Sequence, residues 1–168
     1  MVQYAEYESP LGTLLLEAEG ENLVGLWMNR CVPEGAFPRT EGPLSANEPH
    51  IFADAVAWLD AYFRGEAGPI GFPLEPKGTD FQKRVWQRLL EIPYGQTVSY
   101  GQLAREIGQA LGKEKMSAQA VGQAVGKNPI SILIPCHRVV GVKGQLTGYA
   151  GGLDKKIWLL RHERGEEI

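Results

Sequence analysis

The sequence sets a thiol beside an imidazole in the run Ile134-Pro135-Cys136-His137-Arg138-Val139. A cysteine acts as a nucleophile through its thiolate, and a free thiol of pKa about 8.5 is only a few per cent ionised at pH 7. An imidazole titrates near neutrality, so it is the side chain suited to taking that proton. Pro135 restricts the backbone as it enters the pair. Successive side chains of extended backbone point apart, so a water relay between Cys136 and His137 fits better than direct contact. On the pair alone an inert cysteine is equally compatible, because free cysteine is among the most buried residue types.

The elements that must position this pair are legible from periodicity and punctuation. Ile130-Ser131-Ile132-Leu133-Ile134 is apolar and β-branched, and reads as a buried strand that ends at Pro135 and releases Cys136 into a turn. Upstream, Thr79-Asp80-Phe81-Gln82 fits a capping box, with Phe81, Val85, Trp86, Leu89 and Leu90 on one helical face and Pro93 as the stop. Ser99-Tyr100-Gly101-Gln102 is a second box-like start, followed inward by Leu103, Ala104 and Ile107. A third helix spans 117–127 with Ala118, Val121, Ala124 and Val125 inside, and Asn128 stops it before Pro129. These two short helices in series suggest a helix-turn-helix, with a connection over 109–116 longer than the usual turn. A last helix over 154–162 carries Ile157, Trp158, Leu160 and Arg161.

The first part of the chain reads differently. Short runs over 3–8, 13–19 and 23–27, separated by Ser9-Pro10-Leu11-Gly12 and Gly20-Glu21-Asn22, predict a meander of strands. Residues 29–48 lack periodicity and read as a long surface loop. Helical spacing returns over 51–63 and stops at Gly65, and the Gly- and Pro-rich stretch 65–78 reads as an inter-domain linker.

Composition narrows the class. A hydrophobic fraction of 43% and a charged fraction of 22% over 168 residues are ordinary for a soluble globular protein. No apolar run reaches membrane-span length, and the acidic opening lacks the basic region of a signal peptide, so a cytoplasmic protein with no membrane association is expected. Two cysteines, Cys31 and Cys136, make no disulfide framework, and three scattered histidines show no zinc spacing. No metal and no cofactor are expected. The net charge of −3 conceals an asymmetry. Residues 1–78 hold 4 Lys+Arg against 12 Asp+Glu, a balance of −8, whereas residues 79–168 hold 13 against 8, a balance of +5. A basic half on an acidic protein is the footprint of a nucleic-acid-binding module, although charge clustering alone does not prove it.

Four motifs in order then join the cysteine: Asn128-Pro129-Ile130, Pro135-Cys136-His137-Arg138-Val139-Val140-Gly141, Thr147-Gly148-Tyr149-Ala150-Gly151-Gly152-Leu153 and Trp158-Leu159-Leu160-Arg161-His162-Glu163. From about residue 79 to 163 the chain closely resembles the O6-alkylguanine-DNA alkyltransferases, the methylated-DNA–protein-cysteine methyltransferases. The resemblance implies an α+β fold: a small ribonuclease-H-like N-terminal α/β domain over 1–76, then a winged-helix-like, helix-turn-helix DNA-binding domain over 77–168. It implies base flipping of O6-alkylguanine from double-stranded DNA approached through the minor groove, and irreversible alkyl transfer to Cys136 by a protein working as a monomer.

The same resemblance assigns roles. His137 deprotonates Cys136 through water and Glu163 orients it, while Asn128 braces the turn. Tyr100 contacts DNA and offers its hydroxyl to the flipped base. Val139, Tyr149, Ala150 and Gly151 line the base pocket. Tyr100, Gly101, Ser117, Gln119, Gly122, Lys127 and Arg138 face DNA, with Arg138 open between a phosphate contact and an internal salt bridge. Many relatives carry an intercalating arginine where this chain has Gln119, which implies weaker DNA affinity unless Lys113, Lys115 or Lys127 contacts phosphate. Two other readings compete. A non-catalytic sensor of alkylated DNA, or a DNA-binding regulator, on the same fold would not need Cys136. A cysteine hydrolase would bring its cysteine and histidine from distant sequence.

Overall fold

Short apolar runs, broken at Pro10-Leu11 and Gly20-Glu21, build three strands at the start of the chain. The computed structural model describes residues 2–28, 38–39, 50–113, 115–144, 149 and 152–166. Strands β1 (Val2–Ser9) and β2 (Gly12–Glu19) pair antiparallel from Val2↔Glu19 to Ser9↔Gly12. Their hairpin is fastened where the Ser9 hydroxyl donates to the Gly12 carbonyl and accepts from the Leu11 N–H. Gly12 sits at φ +99°, a conformation that disfavours a Cβ. Strand β3 (Asn22–Trp27) continues the sheet antiparallel to β2, and the short β4 (Pro38–Arg39) adds to β1 in parallel, giving the order β3-β2-β1-β4. Helix α1 (His50–Phe63) buries Ile51, Phe52, Ala55, Leu59 and Tyr62. Apart from β4, the loop read over 29–48, including Cys31, lies outside the described residues.

Chain contacts divide the protein into two units, residues 1–77 with 129–131, and residues 78–128 with 132–168. The first unit therefore recruits a short piece from far along the chain. Leu26 of β3 donates its N–H to the Pro129 carbonyl at 2.9 Å, and its own carbonyl accepts from Ser131 N–H at 3.2 Å. The stretch read as a linker is also tied to this sheet, through Leu23 N–H to Pro73 O at 3.1 Å and Glu75 N–H to Leu23 O at 2.8 Å.

The second unit is helical because its helix starts are chemically marked. Thr79 accepts from Gln82 N–H at 3.1 Å while the Gln82 side chain accepts from Thr79 N–H at 3.0 Å, closing the capping box of α2 (Asp80–Leu89). Ser99 caps α3 (Tyr100–Ala110) by accepting from Gln102 N–H, without the reciprocal bond of a full box. Ser117 caps α4 (Ala118–Gly126) by accepting from Ala120 N–H. Each such bond satisfies a donor that the first helical turn leaves without a partner, worth about 1 kcal/mol. The three helices pack on one another, and Trp86 of α2 is buried with its indole N–H donating to the Ala124 carbonyl of α4 at 2.8 Å. Strands β5 (Val98–Ser99) and β6 (Val139–Val140) pair in parallel, so the start of α3 lies beside the segment that follows Cys136. Helix α5 (Leu153–Glu163) completes the unit.

Candidate active site

The segment leading to Cys136 is a chain of turns rather than the strand that its composition predicts. Ile130 makes one bridge to Leu26, after which Ile132 takes φ +71°, a left-handed conformation that ends extended backbone and is strained for a β-branched residue. Pro135, at φ −81° and ψ 65°, then forms an inverse γ-turn, closed by Cys136 N–H donating to the Ile134 carbonyl at 2.8 Å. The same carbonyl accepts from the Asn128 side-chain amide at 2.8 Å. Asn128 thus holds the entry to the turn from its place beyond Lys127, the residue that caps α4. Cys136–Arg138 form a single 3-10 turn, and Val139 N–H donates back to the Cys136 carbonyl.

Beneath the turn lies a buried ionic cluster. The Glu163 carboxylate at the end of α5 meets His137 Nε2 at 2.6 Å and accepts from Arg138 Nε at 2.7 Å and Nη2 at 3.0 Å. Gly95 N–H reaches the same carboxylate at 3.3 Å. Arg138 Nη1 donates to the Ile92 carbonyl at 2.7 Å, and its guanidinium carbon stands 5.7 Å from the centroid of the Tyr94 ring. Of the two uses open to Arg138 the structure shows the internal salt bridge. Three of its nitrogens are committed inside and the residue is 8% exposed. Burial alone would raise the Glu163 carboxyl, but hydrogen bonds from His137 and Arg138 and the Arg138 charge outweigh it and hold the carboxyl well below the usual range. Glu163 is therefore ionised and an acceptor, which assigns the His137 proton to Nε2 and leaves the Nδ1 lone pair outside this cluster. His137 Nδ1 is buried without a hydrogen-bond partner among the described residues.

Burial lowers the His137 pKa, against the pull of Glu163, so the imidazole rests neutral. Burial also pushes the Cys136 thiol up, opposed by Asn128, Tyr149 and the Lys156 ammonium. The resting sulfur is protonated. A neutral base with a free lone pair next to a resting thiol can take the proton when the reaction requires it.

Cys136, His137, Asn128, Val139 and Glu163 meet around this one turn. Tyr100 stands at the head of α3, and a Cβ built on Gly122 of α4 would touch its ring at 3.7 Å. Tyr149 bears on the Cys136 sulfur. Gly101 is half-buried, whereas Ser117, Gln119 and Lys127 lie exposed on α4 or its ends. Ala150 and Gly151 lie outside the described residues. Among the described residues, no group of three or more His, Cys, Asp or Glu is placed to hold a metal ion, and no helix is long and apolar enough to cross a membrane.

Sequence reading missed Lys156, which is fully buried with its ammonium donating to the Val139 carbonyl at 2.7 Å. A signal was available: Lys156 precedes Glu163 by two helical turns, so a buried Glu163 places Lys156 on the same inward face. The inward residues of α5 are Lys156, Leu159, Leu160 and Glu163.

Comparison with known proteins agrees with this geometry. Residues 2–76 match the family model described as 6-O-methylguanine DNA methyltransferase, ribonuclease-like domain, and residues 80–165 match that protein's DNA binding domain. The methylated-DNA–protein-cysteine methyltransferase of Mycobacterium leprae is 46% identical over 168 residues, covering 100% of this chain and 96% of the relative. The crystal structure of Mycobacterium tuberculosis O6-methylguanine methyltransferase superposes with a TM-score of 0.81 at 42% identity, over 100% of this chain and 96% of that one. A structure of the Mycobacterium tuberculosis protein in complex with DNA gives the same score and identity over 97% and 93%. With both parts matched in order and similarity running through the full length, this chain belongs to the methylated-DNA–protein-cysteine methyltransferase family.

Proposed function

We propose that this protein repairs DNA by flipping O6-alkylguanine out of the duplex and moving the alkyl group irreversibly to Cys136. The observation that carries this reading is a resting thiol beside a neutral imidazole whose Nε2–H is held by an ionised glutamate. Extruding the base costs a few kcal/mol, less when the lesion pairs poorly. His137 Nδ1 then takes the Cys136 proton through a water, and Glu163 stabilises the imidazolium that forms. The sulfur attacks the alkyl carbon in line, forming the S–C bond as the C–O6 bond breaks. The bonding pair passes to the guanine, which accepts a proton at N3 from the Tyr100 hydroxyl. The product is a thioether, which lacks the lability of an acyl intermediate, so each molecule acts once.

Val139, Tyr149, Ala150 and Gly151 line the base pocket in this reading, with main-chain groups supplying the hydrogen bonds. Asn128 braces the turn. Tyr100, Gly101, Ser117, Gln119, Gly122 and Lys127 meet the DNA, with α4 in the minor groove. The exposed positions of Ser117, Gln119 and Lys127 support that surface. The protein works as a monomer in the cytoplasm, and residues 77–168 form the alkyltransferase domain behind an N-terminal domain of residues 1–76.

Stoichiometry tests the reading. Duplex carrying labelled O6-methylguanine, supplied in excess, should transfer one methyl per protein and then stop. Continued release of free methyl product without loss of activity would reject it.

A further inference from the structure

The helix set against DNA in the reading above brings no charge to a polyanion. Over Ala118–Gly126, α4 contains neither lysine nor arginine, and its exposed polar side chains are the amides of Gln119 and Gln123. Three nitrogens of Arg138 are engaged by Glu163 and the Ile92 carbonyl, so that charge is balanced within the protein. Neutralising phosphates supplies a large share of the affinity of DNA-binding proteins, so the cations must stand elsewhere on this surface.

Helix α3 carries one. Arg105 is exposed one turn beyond Gly101, and residues four apart share a helical face. Helical side chains lean toward the N-terminus, and Arg105 Nη1 lies 3.7 Å from where a Cβ on Gly101 would stand. The guanidinium thus returns to the head of α3, where Ser99 caps the helix and Tyr100 begins it. A cation there opposes the helix dipole, so intrahelical electrostatics do not draw it back. Nor does the neighbouring carboxylate hold it. Glu106 accepts from Arg88 Nε at 2.6 Å and from Gln102 Nε2 at 3.2 Å, and Arg105 acts on it through charge alone.

The lysines of the α3–α4 connection start from the other end of the helix. Gly112 takes φ +69°, its N–H donates to the Gln109 carbonyl at 3.1 Å, and Lys113 N–H donates to the Gly108 carbonyl at 2.8 Å. This is a Schellman turn, and it ties Lys113 to Gly108. Gly108 lies about 12 Å along the axis from Tyr100, which leaves Arg105 as the cation at the Tyr100 end of α3. We propose that Arg105 binds a backbone phosphate of the duplex beside Tyr100, supplying charge that α4 lacks. This rests on the reading that α3 and α4 meet DNA. The guanidinium donates charge-assisted hydrogen bonds to phosphate oxygens, which fix register and carry no base specificity.

The test measures binding of full-length protein to O6-methylguanine duplex by fluorescence anisotropy between about 50 and about 200 mM salt, in a Cys136→Ala background that prevents transfer. Arg105→Gln should lower the slope of log affinity against log salt by about one, so affinity falls about 3.5-fold less than the parent's across that range. Arg105→Lys, which keeps the charge, should hold the parental slope. Arg64→Gln, which removes the same charge from an exposed position in the other unit, should hold it too. With Cys136 intact and duplex saturating, Arg105→Gln should transfer methyl within about twofold of the parental rate, because the contact is the same before and during the reaction. Thermal melting of each variant reports folding separately. A parental slope in Arg105→Gln, or an equal fall in Arg64→Gln, would overturn the proposal. Duplex binding without methyl transfer by the Cys136-intact parent would reject the repair reading and leave the slopes to decide Arg105. A parent that binds no duplex would overturn both.

Discussion

At the residue scale, burial holds the two neighbouring groups of the proposed site uncharged at rest. Cys136 is kept as a thiol by burial, and His137 is kept neutral by burial despite the adjacent carboxylate. The same arrangement sets an acid limit on stability. His137 has a lowered pKa in the folded protein, so the unfolded imidazole binds a proton first. Stability is full above the ordinary histidine pKa of about 6.5 and falls as pH drops below it. The depressed Glu163 carboxyl adds a second loss below about pH 4.3, where the unfolded carboxyl protonates while the folded one is still ionised. Melting temperatures from pH 8 to pH 4 should fall less steeply below about 6.5 in His137→Gln than in the parent, and identical slopes would contradict the assignment. Arg138 is the structural half of the cluster. Arg138→Ala leaves Glu163 short of its bidentate partner and should cost about 3 kcal/mol in urea unfolding. A loss of under about 1 kcal/mol would mean the residue is not the tether described here.

At the scale of elements, what was legible depended on whether local signals and tertiary demands agreed. Helices α2, α3 and α4 begin where Thr79, Ser99 and Ser117 place a hydroxyl before an apolar stripe, and the strands β1–β3 end at their turn residues. The run 130–134 misled because β-branched apolar residues suit either a strand or a buried turn. Here the Asn128 side chain and Cys136 N–H share the Ile134 carbonyl, and Ile132 turns left-handed. Those are local side-chain and turn choices that periodicity does not carry. Lys156 misled because lysine reads as solvent unless its helical partner Glu163 is known to be inside. The two caps separate stability from function. Thr79→Ala should lose about 1 kcal/mol of stability with duplex repair at its parental rate. Ser117→Ala, at the head of the helix proposed to meet DNA, should lose a similar amount and also weaken DNA binding. Equal DNA affinities in the two variants would remove α4 from the interface.

At the scale of the molecule, the charge split is the feature that sequence alone displayed most openly. The half from residue 79 onward carries 13 Lys+Arg against 8 Asp+Glu. Binding to duplex DNA should weaken at least about tenfold between about 50 and 200 mM salt, because counterions are released as phosphates are neutralised. An affinity indifferent to salt would place the contacts elsewhere. The most direct test of the whole account is the fate of the sulfur. Protein incubated with O6-methylguanine duplex, digested and analysed by tandem mass spectrometry, should carry one methyl group on the peptide containing Cys136. Cys136→Ala should carry none and leave the lesion in the DNA. An unmodified Cys136 after the lesion has been repaired, or repair sustained by Cys136→Ala, would contradict it.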